Sequence, residues 1–140
     1  MRKIIALVLT LAVIILAGCS AGAGIDESFK GSVEPIAENI LQGIKNNDRD
    51  SFIKDMDDKM KSAFTEESFK KMNDMLASKV GSYQSKEYWK AEKSGEYRIA
   101  YYKAKFDKEE GYVVVKVVTS EKNGKLYVSG LFFDSPNLRK

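Results

Sequence analysis

Val113-Val114-Val115-Lys116-Val117-Val118-Thr119-Ser120-Glu121-Lys122-Asn123-Gly124-Lys125-Leu126-Tyr127-Val128 is the stretch whose reading decides the fold. Its first half is β-branched at nearly every position, a composition that suits a pleated surface better than a helix. Asn123-Gly124 then supplies two residues that tolerate positive φ, as a type I′ turn requires, so the chain should reverse there into a partner strand. Strands are expected at 112–119 and 126–133. Upstream, residues 83–93 and 97–106 carry the same period of two and the same aromatic and β-branched content. Ser94-Gly95 separates the first two strands, and Lys108-Glu109-Glu110-Gly111 separates the second from the third. Three short connections in a row give an antiparallel meander. Alternation assigns Val113, Val115, Val117, Leu126, Val128 and Phe132 to one face. Tyr112, Val114, Val118, Tyr127, Leu131 and Phe133 fall on the other. Both faces are apolar, so the one turned from the helices needs a cover of its own: curl, a second copy or a partner.

Before Tyr83 the period is helical. Phe29, Val33, Ile36, Ala37, Ile40, Leu41 and Ile44 fall on one stripe. Pro35 leaves two readings: a helix starting near Ser32, with Pro35 in its first turn, or one starting near Asp26 and kinked. Asn46-Asn47-Asp48 ends the stripe. A second helix is expected at 49–56, with Phe52, Ile53 and Met56 inward and Asp48 or Asp50 at its start. Asp57-Asp58 breaks it and caps a further turn carrying Met60 and Phe64. Thr65-Glu66-Glu67 opens the next helix, whose apolar side is Phe69, Met72, Met75, Leu76 and Val80, and Gly81 stops it. Met56, Met60, Met72 and Met75 are read as core filling. Helices followed by a meander make an α+β domain, here spanning 29–140, with a fraying tail at 134–140.

The other end of the chain carries a different signal. Met1-Arg2-Lys3 precedes an apolar run at 4–17, which closes on Leu16-Ala17-Gly18-Cys19. A basic start, an apolar segment and small residues before a cut describe an export signal. The 14 residues of the run fall short of the roughly 20 needed to span a bilayer. The segment resembles the bacterial lipoprotein signal with its lipobox. That resemblance implies that residues 1–18 are removed, that Cys19 becomes the lipidated first residue, and that residues 19–28 form a lipidated tether. It implies a membrane partner reached through acyl chains such as palmitate on Cys19. The domain would sit on the outer face of the cell membrane, or on the outer membrane of a Gram-negative owner. A single acyl chain holds only marginally, so firm anchorage needs two or more.

Composition narrows the chemistry. The sequence has no histidine, and Cys19 is its only cysteine. Cys/His zinc sites and Ser-His or Cys-His nucleophilic machinery are therefore excluded, and no metal or cofactor is implied. Without residues 1–18 the chain keeps 21 basic and 20 acidic side chains, a balance that gives no case for nucleic-acid binding or for a strongly basic membrane patch.

Residues 32–134 resemble the nuclear transport factor two-like superfamily. The likeness rests on Ile40-Leu41-Gln42-Gly43-Ile44, Asn47-Asp48-Arg49-Asp50-Ser51-Phe52, Met56-Asp57-Asp58-Lys59-Met60-Lys61, Phe64-Thr65-Glu66-Glu67-Ser68-Phe69 and Gly81-Ser82-Tyr83. It implies N-terminal helices on a curved four-stranded meander sheet, a cone with a pocket between helix and sheet, and no particular reaction. A smaller helix-helix-sheet lipoprotein fold of outer-membrane assembly factors is disfavoured by the third helical segment and the fourth strand.

Asp55, Asp57, Asp58, Glu66 and Glu67 form the densest acidic stretch, and helix caps and solvated faces account for it. No catalytic residue is assigned. Aromatic and basic residues interleave through Tyr88-Trp89-Lys90, Tyr97-Arg98 and Tyr101-Tyr102-Lys103. Alternation along amphipathic strands explains most of that pattern. Trp89, Tyr101 and Tyr102 are the candidates for a ligand or partner surface, because Tyr and Trp are enriched at binding hot spots. The expected function is non-enzymatic binding of a small apolar ligand or an envelope protein, with a homodimer through the sheet as a further partner. The alternative is a carboxylate- and tyrosine-based enzyme of the isomerase or cyclase type.

Overall fold

A computed structural model describes residues 23–140, with side chains from Glu27 onward. Cys19 and the signal segment lie outside the described residues. In chain order the elements are α1 (Ala23–Lys45), α2 (Arg49–Ile53), α3 (Asp58–Ala63), α4 (Glu66–Lys79), β1 (Tyr83–Ser94), β2 (Tyr97–Phe106), β3 (Val113–Lys122) and β4 (Lys125–Asp134). The four strands form one open antiparallel sheet in sequence order. The architecture is α+β, helices first and meander second, as the change of period predicts.

Local chemistry explains the boundaries. Asp48 caps α2 by accepting from Ser51 N, Asp57 caps α3 by accepting from Met60 N at 2.8 Å, and Thr65 caps α4 by accepting from Ser68 N. Each satisfies an amide that the helix itself cannot. Asp57→Ala is therefore expected to destabilise the domain by about 1 kcal/mol, read from the shift of a urea midpoint at constant slope. Asn123 and Gly124 hold φ of 53° and 76°, both positive as the β3–β4 turn demands.

α1 runs through Pro35 and starts at Ala23, so the reading that starts it near Ser32 is wrong. An interior proline costs roughly 3 kcal/mol. The helix persists because Phe29 and Val33, upstream of the proline, are 3% and 0% exposed, and their burial against the sheet offsets that cost. The same start makes residues 23–28, expected as tether, helical. The second helix ends at Ile53, not Met56, because Met56 leaves it to form a parallel bridge with Val128. Asp57 N donates to Val128 O and Val128 N to Asp55 O, which tacks the α2–α3 connection onto the open edge of β4.

Two further expectations are corrected. Phe132 lies on the outer face and is 56% exposed, while Leu131 and Phe133 pack against the core. A bulge between Val118 and Thr119 leaves Ser129 unpaired, and one extra residue reverses the alternation downstream of it. The tail does not fray. Asn137 N donates to buried Glu109, Leu138 N donates to Ser135 Oγ, and Leu138 packs against the core.

Candidate functional site

The inner face of the sheet meets α1. Along the central strands the interior between them, where the resemblance places a pocket, is filled, and a cleft of about 280 Å³ opens at the end of α1, lined by Ile44, Asn73, Ala77, Tyr83 and Asp107. Val33, Leu41, Tyr102, Val115 and Val117 are each 0% exposed, so no water-sized void touches them. Toward the β1 edge this contact becomes polar. Lys86 is 8% exposed at its side chain and pairs with both Glu34 and Glu38, the latter at 3.0 Å. Tyr102 Oη donates to Glu34 at 3.2 Å, Tyr83 Oη to Glu38 at 3.2 Å, and Gln42 Nε2 to Glu38 at 2.9 Å. Burial alone would lower the Lys86 pKa, but hydrogen bonds and charge from the two glutamates hold it above its ordinary value. Burial likewise opposes ionisation of Glu38, yet bonds from Gln42, Lys86 and Tyr83 leave its pKa lowered. Burial and the adjacent carboxylates push the Tyr83 and Tyr102 hydroxyls well above the usual phenol range. The arrangement is a polar clamp: one ammonium bridges two carboxylates, and two phenols that keep their protons donate to them.

The outer face is built differently. A second bulge in β1 leaves Trp89 unpaired between Tyr88↔Tyr102 and Lys90↔Tyr101. Trp89 thereby joins Tyr101 on this face, edge to face at 6.3 Å, and is 47% exposed. Lysines lie among the rings. Lys90 Nζ is 4.6 Å from the Tyr101 ring centroid, Lys103 Nζ 4.8 Å from that of Trp89, Lys105 Nζ 4.6 Å from that of Tyr112 and Lys116 Nζ 5.2 Å from that of Phe132. Tyr112 is 45% exposed. The register explains the row. Lys103 and Lys105 are two apart on β2, and Lys116 stands opposite Tyr101 on β3, so all share the face of Phe132, which pairs with Lys116. Nearby acids are partly committed: Glu92 accepts from Lys90 and Tyr101, and Asp134 pairs with Arg139, while exposed Glu87 stands opposite Lys103 on β1. Among the described residues Lys103, Lys105 and Lys116 form no salt bridge.

Residues 37–126 match the model of a protein family of unknown function, DUF3887. The chain belongs to the DUF3887 family. No curated protein matches it. The DUF3887 span takes in Lys86, Trp89, Tyr101 and the three unpaired lysines, and leaves Glu34 and Phe132 outside.

Of the residues singled out from sequence in this DUF3887 protein, Trp89 and Tyr101 come together on the outer face. Tyr102 does not: it points the opposite way, fully buried, as alternation with Tyr101 requires. The acidic stretch divides among structural tasks. Asp55 accepts from Asn39, Asp57 caps α3, Glu66 and Glu67 lie in the first turn of α4, and Glu67 pairs with Lys71. The Glu34–Lys86–Glu38 clamp was missed from sequence. Its signal is present as Glu34, Glu38 and Gln42, spaced four apart beside the apolar stripe, but a partner on a distant strand cannot be read from that spacing. No helix among the described residues is long and apolar enough to cross a membrane.

Proposed function

We propose that this chain is a lipid-anchored, extracytoplasmic domain of the nuclear transport factor two-like type that works by binding, not by catalysis. Cys19 carries the acyl chains, and the outer sheet face is the working surface. The observation that carries the reading is the exposed row of Trp89, Tyr112 and Phe132 set among lysines on a face that no element of the described chain covers. The filled contact between α1 and the central strands favours a surface over a central pocket for a small apolar ligand. An isomerase- or cyclase-type site needs a carboxylate whose proton affinity is raised, and Glu38 is shifted the other way.

Anchorage is tested at Cys19. The native protein is expected to carry a fatty-acylated Cys19 at its N-terminus by mass spectrometry, and Cys19→Ser to abolish that fatty acid. A native N-terminus at Met1 without fatty acid would overturn the reading.

A further inference from the structure

We propose that the outer sheet face is a second membrane contact, which lays the domain on a bilayer containing anionic phospholipid. This deepens the function proposed above and rests on its anchor. Aromatic rings and lysines at one level are the composition of a membrane interface: rings settle among headgroups while ammonium groups reach phosphates. Trp89, Tyr112 and Phe132 supply half-exposed rings, and Lys103, Lys105 and Lys116 supply cations with no salt bridge among the described residues. Protein–protein interface cores, in contrast, are depleted in lysine.

The chain outside the structure fits this occupant. α1 packs against β1, the edge strand, and begins at Ala23, four residues past Cys19. Four residues reach at most about 14 Å, so an anchor at Cys19 holds the domain close to the bilayer surface. A tethered face also needs little intrinsic affinity, because the anchor converts its docking into an intramolecular step.

Trp89 is the only tryptophan in the chain, so its fluorescence reports this face alone. The full lipidated protein is reconstituted into vesicles of phosphatidylcholine alone or mixed with phosphatidylglycerol. On the mixed vesicles the emission is expected to shift to the blue and to be quenched by acyl chains brominated near the headgroup, with both effects shrinking at high salt. In the Cys19→Ser chain the combined Lys103→Gln, Lys105→Gln and Lys116→Gln variant is expected to lower partitioning onto the mixed vesicles on the order of a hundredfold, at about fivefold per lysine. An unchanged urea midpoint confirms that the variant is folded. Acylated Cys19 with identical Trp89 emission on both lipids overturns this inference while leaving the anchor standing. Missing acylation with a lipid-dependent Trp89 shift overturns the anchor and leaves the face. A Trp89 shift that follows protein concentration, or that appears only with soluble polygalacturonate, also overturns it, in favour of a dimer or an anionic glycan.

Discussion

Gly43→Ala is expected to destabilise the domain by about 3 kcal/mol, at the upper end of what overpacking costs. A Cβ built on Gly43 would lie 2.7 Å from Phe52 N and 2.8 Å from Phe52 Cα, distances at which backbone itself must move. Phe52 cannot retreat. It is fully buried, and its ring centroid lies 4.9 Å from those of both Phe64 and Phe69. α1 and α2 therefore approach closely only because position 43 has no side chain. Urea unfolding measures the loss, and a change within 0.5 kcal/mol would show that the helices can part cheaply. The prediction separates steric demand from propensity, because in an unhindered helix the same substitution would stabilise.

Lys86→Ala is expected to cost about 2 kcal/mol at neutral pH. Removing one partner of a buried pair costs 3–5 kcal/mol, but Glu34 and Glu38 are 39% and 41% exposed at their side chains, and water recovers part of the loss. The pH profile identifies the cause. The folded pKa of Glu38 lies below its ordinary 4.5, so its contribution is present above that value and is lost as pH falls through the folded one. The folded pKa of Lys86 lies above 10.5, so its contribution is present below that value and is lost as pH rises through the folded one. The difference between wild type and variant should be widest between about pH 5 and 10 and narrow on both sides. A difference that stays constant down to pH 3 would mean that only the packing of the lysine stem was lost. Lys86→Met, which keeps much of that packing, should retain the pH-dependent part of the loss.

The fold was readable because local signals agree with one another. Asp57, Thr65 and Asn123-Gly124 act over three or four residues, and each does in the structure what its side chain can do alone. What stayed hidden depends on distant partners. Pro35 tolerates a helix because of the strands that bury Phe29 and Val33. Phe132 turns outward because of a bulge at Ser129, which Gly130 beside it signals without fixing its place or its effect on the alternation. Glu34 and Glu38 gain meaning only from Lys86, on a strand far along the chain. At the candidate surface, Trp89, Tyr101 and Tyr102 were legible as candidates, but alternation could not say which of the two tyrosines shares a face with Trp89, because the β1 bulge decides where Trp89 points.

The bridge between Met56 and Val128 has a consequence for how the molecule is made. Synthesis delivers the helical half first and the final strand last. Until Val128 arrives, the 55–57 connection lacks the hydrogen bonds that latch it, and the apolar side chain of Met56 has no sheet edge to lie against. The domain can therefore close only once β4 has emerged, and a nascent chain stalled before that strand presents an unlatched, greasy flank.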